Sequence, residues 1–198
     1  MKKVIDGLTI TIPENVYDPA EDSFLLAENV NISAKNKVLE IGSGSGYVSL
    51  LLAKKYPTAE YFCLDLNPIA SITTKKNAQL NNLSLNVISS DLFSSLKISR
   101  VFDIILFNSP YLPIYEDGLL SKAWSGGLGG LEIVRNYLER LDEYLKLNGS
   151  SYLVISSKTD LKELDRLLTD LKLVWEIIDS LKEGGEKIIL YKITRKLI

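Results

Sequence analysis

The sequence predicts an α/β fold: a seven-stranded, mostly parallel sheet with helices on both faces and a C-terminal antiparallel hairpin. Three features carry that prediction. Five short apolar segments rich in β-formers alternate with helical segments. The strands are near-continuous apolar runs, as burial on both faces of a parallel sheet requires. The chain end differs, because VWEIIDSL and EKIILYKI flank EGG, the pattern of a hairpin.

The elements follow in order. MKKVIDGLTI lacks the apolar core of a signal peptide, and no apolar run approaches the ~20 residues of a membrane span, so cytoplasmic residence is expected. A helix is expected over residues 21–30, with Asp18 as its cap, Pro19 in its first turn and Glu21 completing a capping-box spacing. KVLEIG (37–42) is the first strand of the sheet, and YVSLLLAKKY its following helix. EYFCLDL (60–66), the helix IASITTKKNAQL and the strand LNVISSD (85–91) complete the first half. FDIILFN (102–108), the helix LEIVRNYLERLDEYLKL, the strand SYLVIS (151–156) and the helix KTDLKELDRLLTDL form the second. No repeat, low-complexity tract or linker interrupts them.

Composition removes whole classes of chemistry. Cys63 is the single cysteine and there is no histidine, so intramolecular disulfides, Cys/His metal sets, Ser-His-Asp triads and histidine bases are out. A net charge of −2 gives no bulk attraction to nucleic acid or anionic membrane. Any reaction must run on carboxylates, amides, hydroxyls or a cofactor.

EIGSGSG joins the first strand to its helix, with Gly42, Gly44 and Gly46 permitting a tight turn and close approach to bare backbone amides. A GxGxxG dinucleotide fingerprint needs glycine at 47, where Tyr47 stands, and no GK[ST] follows for a P-loop. Asp65 ends the second strand about 20 residues further on, placed to accept both hydroxyls of a ribose. Asp91 ends the third, beside Leu92 and Phe93, a polar and apolar pair suited to an adenine edge and face. Together the three strand ends form one rim, where ligands bind in such sheets. The pattern E-x-G-x-G-x-G, then Asp, then Asp resembles the class I S-adenosylmethionine-dependent methyltransferases, with their Rossmann-like fold.

FNSPYLP leaves the fourth strand on Asn108. An amide or aromatic amine nitrogen is a poor nucleophile because its lone pair is delocalised. The Asn108 side-chain oxygen and the Ser109 carbonyl can accept its N–H groups and turn the lone pair toward a methyl donor. Tyr111 can stack on the flat substrate group, its direction held by Pro110. No strong base is needed, since the methylated nitrogen becomes acidic and sheds its own proton.

The same stretch resembles the N-P-P-Y signature of N-methyltransferases, with Ser109 in place of the first proline; restoring proline there is expected to be tolerated or mildly activating. VYDPAEDSFLL (16–26) and AWSGGLGGLEIV (123–134) are similar to segments of the archaeal and eukaryotic release-factor glutamine methyltransferases related to HemK. That resemblance implies one methyltransferase domain over 1–198, with 1–35 covering the cofactor site and 36–198 forming the catalytic core. It implies N5-methylation of the Gly-Gly-Gln glutamine of a class 1 release factor, using S-adenosyl-L-methionine and no metal. Cofactor contacts fall on Ser23, Glu40, Gly42, Gly44, Gly46, Asp65, Asp91, Leu92 and Asn108; catalytic and substrate contacts fall on Asn108, Ser109, Pro110 and Tyr111. Tyr17 and Glu21 either contact the site or cap and pack the first helix. Trp124, Gly126 and Gly127 either line the substrate mouth or form a plain glycine-rich loop.

Other readings stay open on sequence grounds: an adenine-N6 DNA or RNA methyltransferase, a protein lysine methyltransferase, or a cofactor-binding scaffold without turnover. The family pairs with a small zinc-binding activator protein, and the resemblance places it on the third strand. Between Leu85 and Ser90 there is no Lys, Glu or Pro to protect an edge. The alternative is that the loop before the fourth strand covers that edge.

Overall fold

The computed structural model describes residues 1–110 and 131–196. The chain runs β1 (Lys2–Ile5), β2 (Leu8–Thr11), α1 (Glu21–Asn29), β3 (Lys37–Ile41), α2 (Tyr47–Lys55), β4 (Glu60–Asp65), α3 (Pro68–Leu80) and β5 (Asn86–Ser89). It continues through β6 (Phe102–Asn108), α4 (Glu132–Tyr144), β7 (Leu145–Ser156), α5 (Leu161–Asp170), β8 (Leu173–Glu183) and β9 (Glu186–Arg195). Seven strands form one sheet in the order β5-β4-β3-β6-β7-β9-β8. The first five of that order pair in parallel, and β9 runs antiparallel to both β7 and β8. The sheet expected from the sequence is therefore present, strand for strand, with β5 at one edge.

Successive residues of each strand point to opposite faces, and both faces are covered. Val38, Ile104, Leu106 and Val154 pack with Leu26 of α1 and Leu50 and Leu52 of α2. Leu39, Ile105, Phe107 and Leu153 pack with α4 and α5. On α4 the buried Val134, Tyr137, Leu138 and Leu141 follow helical spacing. Each large apolar side chain there contributes about 1.5–3 kcal/mol by leaving water. Phe93 lies between Tyr137 and Tyr144, with ring centroids 5.5 and 4.4 Å away. It is wholly buried in this core, so it cannot offer a face to an adenine.

Two local expectations need correction. The capping assignment for α1 does not hold: Ala20 is the N-cap, no side chain caps it, and Pro19 precedes the helix. Asp18 stands too far upstream and instead pairs with Lys3 of β1 at 2.5 Å. At the other end of the domain, β7 starts at Leu145 rather than at 151. Leu145 pairs with Phe102 before a register shift, and its side chain fills the space that a Cβ on Gly149 would need.

A second sheet, the β1–β2 hairpin, is absent from the sequence reading. Asp6 and Gly7 form its two-residue turn with φ of 50° and 68°, the two left-handed positions of a primed turn. The hairpin docks on α3 through two amides. Asn81 accepts from the Thr9 amide at 2.8 Å and donates to the Thr9 carbonyl at 2.8 Å. Asn77 does the same with Thr11, at 2.9 Å for each bond. Four helical residues rise about 6 Å and two strand residues about 6.7 Å, so the spacings match.

Candidate active site

The carboxyl ends of β3, β4 and β6 lie level. Ile41 is paired with Leu64 on one side and Phe107 on the other. The next residue of each strand or its exit is therefore Gly42, Asp65 or Asn108, side by side on the rim. Two adjacent pairings thus bring together groups distant in sequence.

The loop after β3 is held on three sides. Gly42 and Ser43 donate to the Leu64 carbonyl at 2.8 and 3.1 Å. Gly44 donates to Asp65 Oδ2 at 2.7 Å. From behind, Thr74 Oγ1 donates to the Gly44 carbonyl at 3.0 Å and Asn77 Nδ2 to the Ser45 carbonyl at 2.9 Å. Gly46, at φ +84°, lies so close to α3 that a Cβ would come within 2.9 Å of Thr74. Glycine at this position is therefore required for packing against α3. At Gly44 a Cβ would meet only Tyr17, at 3.8 Å, so the front of the loop is open.

Asp65 is buried, and Oδ1 accepts from the Asn67 amide at 2.8 Å while Oδ2 serves Gly44. Burial raises its pKa, against the two amides that lower it. Each carboxylate oxygen retains acceptor capacity for a further donor. Glu40 is also buried, and Oε2 accepts from the Ser49 amide at 3.1 Å and from the Ser49 hydroxyl. Burial outweighs those bonds and pushes the Glu40 carboxyl up to about 8. Asp91 is exposed two residues beyond the end of β5, not on the strand itself. Leu92 is half-buried with φ of 44°, a conformation that costs a bulky residue about 1–3 kcal/mol. Ser90 Oγ donates to its carbonyl at 2.9 Å and helps hold that turn.

Asn108 carries the unusual feature of the rim. Its Nδ2 donates to Ser23 Oγ at 3.4 Å. Its Oδ1 is buried and has no hydrogen-bond partner among the described residues. A buried amide oxygen left unpaired costs about 1–3 kcal/mol, so a native protein keeps one for a reason. Ser109 is buried, and its amide and hydroxyl both donate to the Val154 carbonyl of β7, at 3.4 and 2.6 Å. The hydroxyl thus fixes the turn by hydrogen bonding where a proline would fix it by its ring.

Ser23 is buried in the first turn of α1, beside Asp22. Tyr17 donates to Asp22 Oδ2 at 2.8 Å. Burial, Asp22 and Glu183 push the Tyr17 phenol far above its ordinary range. Glu21 is exposed and faces Glu183 of β8, where burial and the Glu21 and Asp22 carboxylates raise the Glu183 pKa. Neither Tyr17 nor Glu21 caps the helix. Pro110 is half-buried at the end of the described segment. Tyr111, Trp124, Gly126 and Gly127 lie outside the described residues. Asp22, Thr74 and Asn77 also support the site, and Thr74 and Asn77 are not evident from sequence pattern. Only Asp22, inside the EDS of the N-terminal segment, carried a signal.

A parallel sheet with this order, a glycine loop at its rim and an acid on the neighbouring strand defines a class I methyltransferase fold. The pattern of the methyltransferase small domain family matches residues 15–179. A Methanocaldococcus jannaschii protein provisionally named protein N5-glutamine methyltransferase is 40% identical, over 94% of this chain and 95% of its own. The human methyltransferase HEMK2 is 32% identical, over 91% and 90%. Among solved structures, the E. cuniculi Mtq2–Trm112 complex, described as responsible for methylation of the eRF1 termination factor, superposes with a TM-score of 0.74. That match has 23% identity and covers 92% of this chain and 99% of that one. The chain belongs to the methyltransferase small domain family, in the company of the protein glutamine methyltransferases. Among the described residues, no helix is long and apolar enough to cross a membrane.

Two outcomes are expected. Proline at 109 would remove both donors from the buried Val154 carbonyl, so Ser109→Pro should lose about 1–3 kcal/mol in urea unfolding rather than be tolerated. An unchanged midpoint would contradict that role for the hydroxyl. Glu40, raised from 4.5 to about 8 in the fold, binds its proton more tightly there than in the unfolded chain. Its contribution is full below its unfolded pKa and is lost as pH rises through about 8. Stability should therefore fall across that window, by up to about 1.4 kcal/mol per pH unit from this group, and Glu40→Gln should flatten the profile.

Proposed function

We propose that this chain methylates the N5 nitrogen of the glutamine in the Gly-Gly-Gln motif of a class 1 release factor, using S-adenosyl-L-methionine. The observation that carries the reading is the unpaired Oδ1 of Asn108, on the rim beside the glycine loop. The residues present fit the cofactor: an open loop front at Gly42 and Gly44, and an Asp65 carboxylate with acceptor capacity left. Asp65 would hold the ribose hydroxyls, Asp91 and Leu92 the adenine, and Ser23, Glu40 and the glycine loop the remainder. When bound, the cofactor supplies an electrophilic sulfonium methyl.

The chain's own groups do the rest. Asn108 Oδ1 and the Ser109 carbonyl accept the two N–H bonds of the substrate amide and aim its lone pair along the rim. The substrate contacts expected from the sequence for Pro110, Tyr111 and Trp124 belong to the same proposal. The name of the E. cuniculi complex, on eRF1 methylation, supports the choice of substrate.

The partner reading belongs to the same proposal. β5 is an edge strand, and among the described residues β4 is its one pairing neighbour. Ile88 on β5 is 40% exposed, and Ile69 and Ile72 on the adjacent α3 are exposed at 43% and 54%. A small zinc-binding activator would add a strand at residues 85–90 and cover those side chains. Trm112 is the companion of Mtq2 in the E. cuniculi structure, which supports a partner of this kind.

Incubation with labelled cofactor and release factor tests the activity. Label should enter the wild-type factor and not one whose motif glutamine is changed; equal labelling of both would refute the assignment. Asn108→Ala should lower kcat by about 10²–10³-fold with cofactor affinity far less affected. For the partner, Ile88→Lys should prevent co-purification of a co-expressed activator while stability stays within about 0.5 kcal/mol. A complex that survives this change would place the contact elsewhere.

A further inference from the structure

The amide of Asn108 is useful only in one of its two orientations. With Oδ1 toward the substrate it accepts N–H bonds. Flipped by 180° it would present an NH₂ group to another NH₂ group, which cannot bond. Something must choose between them, and the choice lies on α1.

Ser23 Oγ donates to Asp22 Oδ1 at 3.1 Å. A carboxylate oxygen accepts and does not donate, so the single hydroxyl hydrogen of Ser23 is committed to Asp22. What Ser23 Oγ offers to Asn108 is therefore a lone pair, and only Nδ2 can answer it. The 3.4 Å contact between them is long for an N–H···O bond. It selects an orientation more than it anchors the side chain. The anchoring lies behind it: Asp22 is buried, and it also accepts from the Ser23 amide at 2.5 Å and the Tyr17 hydroxyl at 2.8 Å. Tyr17, Asp22, Ser23 and Asn108 form one directed chain across three segments of the fold.

We propose that Asp22 is a positioning residue that sets the polarity of the Asn108 amide through Ser23, so that Oδ1 and not the NH₂ group faces the substrate. The proposal rests on the amide-methylation reading of Asn108 and adds a residue which that reading does not contain. It also gives the N-terminal segment a part in turnover besides covering the site.

Asp22→Asn is the direct test. An amide at 22 can donate to Ser23 Oγ, which frees the Ser23 hydroxyl hydrogen to point at Asn108 and favours the flipped amide. Turnover on the release factor should fall by about tenfold or more, with substrate KM and calorimetric cofactor affinity changed less than about threefold. In an Asn108→Ala background the same change should have little further effect, because there is no amide left to orient. Losses that multiply in the double variant, or a loss confined to cofactor affinity, would overturn the proposal.

A measurement on the unaltered protein covers the case in which Asp22→Asn fails to fold. The Asn108 side-chain NH₂ resonances, assigned by their loss in Asn108→Ala, should show nuclear Overhauser contacts to the Ser23 β-protons. Their absence would place Oδ1 toward Ser23 and refute the polarity. That readout needs no substrate, so it stands apart from the release-factor assignment. Full turnover by Asn108→Ala would instead sink the reading of Asn108 and leave the polarity result intact.

Discussion

Parallel pairing of β3 with β4 on one side and β6 on the other is the constraint on which the site depends. The registers Ile41–Leu64 and Ile41–Phe107 put Gly42, Asp65 and Asn108 at one level. A slip of one residue in either pairing would turn the rim group of that strand to the opposite face. The slip is prevented far from the rim, by the two apolar layers that fill the faces of the sheet. Core packing and site geometry are thus one requirement: Leu39, Leu64 and Ile105 facing one layer is what puts a carboxylate and an amide beside the glycine loop.

Polar groups at the rim are secured locally, each by a partner that also has a structural duty. Asp65 ties the Gly44 amide to that of Asn67, and the Asn67 side chain in turn caps α3 by accepting from Ile69 at 2.9 Å. Asn77 holds the Ser45 carbonyl with one hydrogen of its NH₂ group and the N-terminal hairpin with the other. The hairpin therefore braces the back of the glycine loop through α3. Ser109 shows that the turn after β6 can be fixed by a hydroxyl that donates to the Val154 carbonyl of β7 as well as by a ring. Beside these satisfied groups the Asn108 oxygen stands out, with no partner among the described residues.

Much of this was legible in the sequence. Two-sided burial makes apolar runs of β3, β4 and β6, and runs of that kind show their ends, so Asp65 and Asn108 could be placed on the rim before any coordinates. The glycine loop was legible because no other residue serves at Gly46. What escaped depended on distance in the chain. D-G between alternating residues is a strong hairpin signal, yet what the hairpin leans on, Asn77 and Asn81, is some seventy residues away. Asp91 is expected from the sequence to end the third strand, but β5 stops at Ser89 and leaves Asp91 and Leu92 beyond it. Phe93 looks like a ligand face in isolation. Only Tyr137 and Tyr144, forty residues and more downstream, show it to be core. Asp18 illustrates the limit of capping rules, since its spacing was plausible and Lys3 competes for it.

The central claim is that the Asn108 carbonyl oxygen is held unpaired for a substrate amide. It is tested most directly by a structure of the protein with S-adenosylhomocysteine and a peptide carrying the Gly-Gly-Gln motif. The glutamine side-chain nitrogen should lie about 2.7–3.2 Å from Asn108 Oδ1 and within reach of the Ser109 carbonyl. A glutamine seated elsewhere on the rim, or one whose amide meets Asn108 Nδ2 instead, would contradict the account.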